Sequence, residues 1–173
     1  MEIEIRKESK TDFVDVFRLI KIAFGQDNEA KLVDLLRNSN AFIPELCLVA
    51  IIGNIIVGHI LFTKIKIKDD NGYEFDSLAL APMAVRPDLQ RQGIGGQLIR
   101  YGLNKAKELG HKSVIVLGHE HYYPKFGFVP TIKWKIKAPF EVPANFFMGI
   151  EIVKDGLKNV TGTVQYPKEF EAI

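Results

Sequence analysis

The chain has 173 residues, of which 47% are hydrophobic and 25% are charged. This is the size of one ordinary domain with enough apolar material for a core, so we expect a single domain over residues 1–173. The formal net charge is only +2 and no long basic block is present, which argues against a nucleic-acid-binding protein. No apolar run approaches the ~20 residues that span a bilayer, so we expect no membrane partner.

The cysteine and histidine content narrows the chemistry. The single cysteine, Cys47, excludes an internal disulfide bond and fits a cytoplasmic protein. Because Cys47 lies inside an apolar run, we interpret it as a small buried residue rather than a catalytic thiol. No cysteine cluster accompanies the histidines, so we expect no metal site. The N-terminal residues alternate in charge and are expected to form a strand rather than a signal peptide.

Two helices are predicted after this first strand, which covers residues 2–6. The first helix begins near Ser9 or Thr11, either of which can cap it. Its apolar residues recur at helical spacing: Phe13, Phe17, Ile20 and Phe24. The second helix is predicted over 28–38, with its inner face formed by Ala30, Val33 and Leu36.

A hairpin and a third strand follow in the sequence. The apolar run 46–52, the turn Gly53-Asn54 and the run 55–68 predict two antiparallel strands. A further strand is predicted over 77–85. Pro82 interrupts it and cannot donate to a sheet, so we expect a bulge or irregular pairing there.

The middle of the chain reads as a crossover between parallel strands. A helix is predicted to start at the glycine cluster 93–96 and to end at Gly110, followed by a buried strand over 114–117. A short helix is predicted over 121–126. Later strands are predicted over 128–129, 147–153 and 162–166. The fold class expected is therefore α/β, more specifically an α+β mixed sheet with antiparallel N-terminal strands and helices on both faces.

The segment Gln90-Arg91-Gln92-Gly93-Ile94-Gly95-Gly96 lies between a strand and a helix. The first amides of a helix have no intrahelical acceptor and face an anion with the positive end of the dipole. Glycine leaves those amides open to a phosphate, and Arg91 adds a positive charge. The loop matches neither the Walker nor the dinucleotide-binding pattern. An equally good reading of the loop alone is close packing of the helix on the sheet.

The surrounding residues resemble the GNAT superfamily of N-acetyltransferases. Met83-Ala84-Val85-Arg86-Pro87, followed by Gln90-Arg91-Gln92-Gly93-Ile94-Gly95, is similar to its central motif. Tyr122-Tyr123-Pro124-Lys125-Phe126-Gly127-Phe128 resembles its second landmark, Tyr-x-x-x-Gly-Phe. Leu80-Ala81-Pro82 and Tyr166-Pro167-x-x-Phe170 more weakly resemble small bacterial GNAT proteins of unassigned substrate.

The resemblance implies a fold and a coenzyme site. In this family the strand before the loop splays from its parallel neighbour, and the pantetheine arm of acetyl-CoA bonds to main-chain groups in the gap. The diphosphate then lies on the loop amides. Carried over, the residues that bind acetyl-CoA, the co-substrate, are Met83, Ala84, Val85, Arg91, Gln92, Gly93, Ile94, Gly95 and Gly96.

The resemblance also implies transfer of an acetyl group from acetyl-CoA to a primary amine. The amide of Met83 is the candidate for stabilising the developing oxyanion. Tyr123 aligns with the family's general acid, and a milder role is to anchor the sulfur by a hydrogen bond. The alternative for Tyr123 is a core aromatic residue with its hydroxyl at the surface. Tyr122 is expected to pack, because the family position is usually apolar.

The general base is not fixed by the sequence. His119, Glu120 and His121 cluster after the strand 114–117, and Glu29 begins the second helix. Each has an ordinary explanation as loop polarity or as a carboxylate at a helix start. Where many family members carry an asparagine that contacts the coenzyme, this chain has Val116, so that contact is not carried over.

Two other functions stay open at this point. One is a GNAT fold that binds acyl-CoA as a non-catalytic sensor or regulatory module, and the other is a nucleotide-binding module that uses the glycine loop for a different phosphate. The acceptor is a small-molecule or peptide amine of unassigned identity. The aromatic-rich segment 140–147 either lines an apolar acceptor pocket or packs in the core. A monomer and a homodimer are both compatible with the sequence.

Overall fold

The structure is a computed structural model that describes residues 2–172. Three α-helices lie in this part of the chain: α1 (Phe13–Phe24), α2 (Asn28–Arg37) and α3 (Ile94–Glu108). The strands are β1 (Glu4–Lys7), β2 (Phe42–Ile52), β3 (Ile55–Lys68), β4 (Glu74–Val85), β5 (Ser113–Leu117), β6 (Val129–Pro130), β7 (Ile136–Lys137), β8 (Phe147–Glu151) and β9 (Gly162–Gln165). No helix within these residues combines the length and the apolarity that a bilayer crossing requires.

The strands form one mixed sheet in the order β1-β2-β3-β4-β5-β8-β6. β1 to β4 pair antiparallel, whereas β4 and β5 are parallel. β9 pairs with the end of β3 and with β7, which folds this corner of the sheet over. The mixed sheet with antiparallel N-terminal strands and a parallel pair, predicted from the sequence, is confirmed.

The hairpin of β2 and β3 turns at Gly53, which has a φ of +63°. β4 carries the irregularity expected at Pro82, because Ile60 pairs with Met83 while Phe62 pairs with Leu80. Two residues of β4 therefore face one residue of β3, which is a β-bulge. The bulge bends β4 shortly before the loop that leads to α3.

The parallel pair is short. Its register covers Leu78 with Val114 and Ala79 with Ile115, and β4 then continues to Val85 without a partner on β5. Parallel strands that stop pairing while one of them continues leave a gap between them, as the expected splay requires. The gap opens toward the carboxyl ends of both strands, where sites in parallel sheets are commonly built.

Helices cover both faces of the sheet, as predicted. α3 packs one face through Ile94, Leu98 and Ile99, against residues such as Phe62 of β3. α1 and α2 cover the other face, and Val33 and Leu36 of α2 are fully buried there. A third apolar cluster lies beneath the corner formed by β7 and β9.

Some predicted elements were wrong in detail. A 3₁₀ turn with a capping box of Ser9 and Asp12 precedes α1, and the buried residues of α1 are Val16, Leu19 and Ile20. Phe24, the last of the four residues at helical spacing, is 43% exposed at the last turn. The helix predicted over 121–126 is a 3₁₀ turn over Tyr123–Phe126, and the two-residue strand β7 was not predicted.

Candidate active site

The loop before α3 presents a row of free backbone donors. Gly93 caps the helix with a φ of +87°, and Arg91 also has a positive φ of +65°. Within residues 2–172, none of the N–H groups from Arg91 to Gly96 donates to another protein atom, and the first bonded amide is that of Gln97, 3.0 Å from the Gly93 carbonyl oxygen. Successive free amides in such turns form a concave nest for an anion.

The charge around this loop suits a negatively charged ligand. The free amides lie at the positive end of a 15-residue helix. Arg91 and Arg100 are exposed and make no ion pair within the described residues. The nearest acid, Asp88, is paired with Arg86 at 2.8 Å. An anion at this loop would therefore meet both backbone donors and unpaired cations.

The end of β4, which pairs with β3 but has no partner on its β5 side, lies directly beside the loop. A Cβ placed on Gly95 would lie 3.5 Å from the Met83 methyl carbon and 3.7 Å from a Val85 methyl carbon. The carbonyl oxygen of Val85 accepts a hydrogen bond of 3.2 Å from the side chain of Gln90. The main chain of Val85, which the resemblance assigns to coenzyme binding, is thus partly occupied. Gln90 is exposed, so an incoming ligand can displace its amide.

Tyr123 lies at the edge of the α3-side core. Its side chain is 8% exposed and packs edge-on against Phe128, with the ring centres 5.6 Å apart. Its ring also fills the space beside Gly118, where an added Cβ would lie 2.2 Å from a ring carbon. Burial raises the pKa of the Tyr123 hydroxyl to about 12. The phenol is therefore protonated at neutral pH and can donate a hydrogen bond.

Three side chains near the loop, those of Tyr122, Arg100 and Phe126, were not among the predicted site residues. The Tyr122 hydroxyl oxygen would lie 2.9 Å from a Cβ on Gly95, so this residue reaches the helix start as well as packing against Phe126. Arg100 lies over the Phe126 ring, 4.9 Å from its centre. The sequence signal for Arg100 was its position four residues after Gly96, on the same helix face.

The candidate bases are scattered. The Nε2 atom of His121 lies 3.3 Å from a Glu120 oxygen, and Glu120 also accepts from the Asn145 amide. His119 uses its carbonyl oxygen to hold the backbone of Tyr122 at 3.1 Å. Glu29 accepts from Gln26 at 2.9 Å at the start of α2. Val116 is buried in the core, on the face that packs against α3.

A groove of about 440 Å³ lies beside the C-terminal strands. The segment 140–147 contributes to it: Phe147 is buried, whereas Phe140 is 45% exposed and stacks on Tyr166. The other lining residues are Thr131, Ile132, Lys135, Ile136, Lys137, Ala138, Glu141, Val142 and Ala144. In this segment Phe147 thus packs in the core and Phe140 lines an open groove, and the use of that groove by an acceptor stays a prediction.

A buried polar cluster lies apart from this site, on the face covered by α1 and α2. The Cys47 thiol donates to Glu8 at 3.0 Å and lies 3.4 Å from the Nε2 atom of His59. Glu8, Cys47 and His59 form the one group in residues 2–172 with the spacing of metal ligands. Arg37 already binds both oxygens of Glu8, so the charge of the carboxylate is neutralised by protein. Cys47 is thus buried as predicted, but its thiol contacts the polar side chains of Glu8 and His59.

Known proteins are similar to this chain in sequence and in architecture. Residues 44–130 match the family model described as the acetyltransferase (GNAT) domain. The chain is 39% identical over 135 residues to YjhQ of Escherichia coli K12, described as an uncharacterised N-acetyltransferase, covering 78% of this chain and 74% of that protein. It is 30% identical over 166 residues to YhbS, an uncharacterised N-acetyltransferase of the same organism, covering 96% of this chain and 97% of that protein.

Two solved structures extend the comparison to three dimensions. The crystal structure of E. coli YhbS in complex with CoA has a TM-score of 0.90 and 29% identity, covering 99% of this chain and 93% of that chain. A GNAT acetyltransferase from Brucella melitensis in complex with acetyl-CoA has a TM-score of 0.78 and 30% identity, covering 98% of each chain.

Proposed function

The chain belongs to the GNAT family of acetyltransferases, and we propose that it transfers the acetyl group of acetyl-CoA to a primary amine of a small molecule or peptide. The observation that carries the proposal is the row of free N–H groups from Arg91 to Gly96 beside the end of β4, which pairs with β3 on one side and has no β5 partner on the other. CoA and acetyl-CoA are the ligands in the two similar structures, which supports acetyl-CoA as the co-substrate.

The coenzyme would occupy the loop and the gap in sequence. We assign the diphosphate to the amides of Arg91, Gln92, Gly93, Ile94, Gly95 and Gly96. The pantetheine arm would run along Met83, Ala84 and Val85 in the manner of an added strand. Displacement of the Gln90 side chain from the Val85 carbonyl would free an acceptor for the amides of the arm.

The two catalytic groups proposed are the Met83 amide and the Tyr123 hydroxyl. The amide would stabilise the oxyanion that forms when the amine attacks the thioester carbon. Tyr123 would donate a hydrogen bond to the departing sulfur. With a pKa of about 12, its proton is held more tightly than that of a thiol, whose ordinary pKa is about 8.5. Anchoring of the sulfur therefore fits Tyr123 better than full proton transfer does.

The attacking amine must lose a proton to a base or to water. The candidates are His119, Glu120, His121 and Glu29, each of which is solvent-accessible. A set of single substitutions to glutamine or asparagine would identify the base, because only its loss should shift the alkaline rise of kcat/KM with pH. We further propose a cytoplasmic protein that acts as a monomer or homodimer.

Calorimetric titration with acetyl-CoA, ATP and NAD tests the coenzyme assignment. We expect binding of acetyl-CoA and far weaker binding of the two nucleotides, because neither carries a pantetheine arm to fill the β4–β5 gap. Preference for ATP or NAD would refute the assignment. A thiol-release assay across a panel of amines then tests for turnover. Tight acetyl-CoA binding with no release for any amine would favour the non-catalytic sensor.

A further inference from the structure

Arg100 is a charged residue with no acidic partner among residues 2–172. It is exposed on α3, and it makes neither a hydrogen bond nor an ion pair with any residue from 2 to 172. The helix positions three and four residues away hold Gly96, Gln97, Leu103 and Asn104, so no acid is available for an intrahelical pair. Its charge is therefore available to a ligand.

The fold directs this guanidinium toward the start of α3. Long helical side chains lean back toward the helix N-terminus, over the residue four positions earlier. That residue is Gly96, and a Cβ there would lie 3.3 Å from an Arg100 terminal nitrogen. The Phe126 ring supports the guanidinium at 4.9 Å by a cation–π contact. Gly96 thus leaves space for the guanidinium, and the Phe126 ring contacts it.

We propose that Arg100 binds the diphosphate of acyl-CoA together with the free loop amides, and so selects CoA thioesters over thioesters that lack the diphosphate. The inference rests on the proposed function and extends it to a residue outside the glycine motif. We assign Arg100 to the diphosphate rather than to another part of the coenzyme because its guanidinium lies beside Gly96, whose N–H group is one of the free donors.

Tyr122 supplies a neutral contact on the same side. Its hydroxyl lies against Gly95, and burial raises the pKa of that hydroxyl, an effect that the positive charge of Arg100 partly offsets. Both side chains pack against Phe126, which contacts the Tyr122 ring and the Arg100 guanidinium. A diphosphate on the amides of Gly95 and Gly96 would therefore have a cation and a hydroxyl donor beside it.

The test compares Arg100→Met and Arg100→Lys with the wild type in calorimetric titrations of CoA, dephospho-CoA and pantetheine. Dephospho-CoA keeps the diphosphate but lacks the 3′-phosphate, and pantetheine has no phosphate. We expect the Kd of Arg100→Met for CoA and dephospho-CoA to rise about tenfold or more, as for loss of a charge-assisted hydrogen bond. The Kd for pantetheine should not change, and Arg100→Lys should lie between.

Arg18→Met is the matched control, because Arg18 is also an exposed helical arginine but lies on α1. Its Kd for CoA should equal that of the wild type. An unchanged Kd of Arg100→Met for CoA would overturn the inference. So would a loss confined to CoA, which would place the guanidinium on the 3′-phosphate, or an equal loss for pantetheine, which would indicate damage to packing. If the wild type binds neither CoA nor dephospho-CoA, the proposed function itself fails.

Discussion

Tyr123 is held by its neighbours rather than by hydrogen bonds. Phe128 and Tyr122 contact its ring edge-on, and its ring covers Gly118. In residues 2–172 its hydroxyl has no hydrogen-bond partner, so the O–H group is free to donate to a ligand. The position of the ring is thus fixed by packing, while its polar atom stays available for chemistry.

Replacement of Tyr123 by phenylalanine removes only that O–H group. We expect kcat to fall by roughly 10²-fold, since loss of one hydrogen-bond donor to the charge that develops on the sulfur has effects of this order. The Kd for CoA should stay close to that of the wild type because the diphosphate groups lie elsewhere. Tyr73→Phe, at a tyrosine that is 70% exposed, is the control and should leave both quantities unchanged. Unchanged turnover in Tyr123→Phe would remove the hydroxyl from the mechanism.

Gly118 offers a second test of the same ring. An alanine there would put its Cβ 2.2 Å from a Tyr123 ring carbon, so the ring has to move. We expect Gly118→Ala to lower kcat and to reduce the urea midpoint of unfolding. Gly25→Ala serves as the comparison, because Gly25 has open space around it and bears only the cost of a positive φ, about 1 kcal/mol. Full activity in Gly118→Ala would mean that the position of Tyr123 is not critical.

At the scale of elements, the polar cluster ties α2 to β2 and β3. Arg37 of α2 bonds Glu8, Glu8 accepts from Cys47 of β2, and His59 of β3 closes the group. The Arg37 side chain is only 7% exposed, and the Glu8 side chain only 2%. A pair buried to this degree is strongly destabilised when one member is lost, because the other charge is left without a partner.

We therefore expect Arg37→Met to lower the free energy of unfolding by roughly 3–5 kcal/mol, measured by urea titration. The double variant Arg37→Met with Glu8→Gln should recover part of this loss, since it removes the stranded charge. Additive losses in the double variant would contradict the role of Arg37 as the counter-ion of Glu8.

His59 gives the same cluster a pH dependence. Burial is the main cause that lowers its pKa to about 3, and Arg37 contributes. Because the folded state binds the proton more weakly than the unfolded state, the stability contributed by neutral His59 is present above pH ~6.5 and decreases as the pH falls toward 3. The lowered pKa of Asp12, about 2, adds a loss only below its ordinary value of 3.8.

Urea titrations between pH 7 and pH 4.5 isolate the effect of His59 from that of Asp12. The free energy of unfolding of the wild type should fall by about 1.4 kcal/mol for each pH unit below 6.5. His59→Asn cannot titrate and should show a flatter profile over this range. His121→Asn, at a side chain that is 91% exposed, should follow the wild type. Parallel profiles for the wild type and His59→Asn would contradict the account.

The elements that the sequence predicted correctly depend on local patterns. The β2–β3 hairpin follows from two apolar runs around Gly53, and α3 follows from helical spacing between the glycine cluster and Gly110. The bulge at Pro82 follows from its missing N–H group. β7 has only two residues and forms through pairing with β9, so no local pattern reveals it. The 3₁₀ turn at Tyr123–Phe126 is likewise shorter than the helix predicted over 121–126.

In the candidate site, too, the residues in contiguous motifs could be predicted and those brought together by packing could not. The loop Gln90–Gly96 and Tyr123 could be named from sequence because each lies in a contiguous motif. The contact of Arg100 with Phe126 and the polar cluster of Glu8 with Cys47 could not, because they join residues distant in the chain that only packing brings together. Their chemistry becomes visible once burial and partners are known.

For the whole molecule, one architecture links these features. The bulge in β4 and its short pairing with β5 open the sheet where α3 begins, so the free amides and the gap face the same ligand. The family match over residues 44–130 spans these elements together. In the proposed function the sheet would supply the slot, the start of the helix would bind the diphosphate, and Tyr123 would supply a hydrogen-bond donor.

A crystal structure of this protein soaked or grown with CoA is the most direct test. The account predicts the diphosphate within hydrogen-bond distance of amides from Arg91 to Gly96, with the thiol end between the strands that end at Val85 and Leu117. A CoA molecule bound elsewhere, with those amides still free and the strand gap empty, would contradict it.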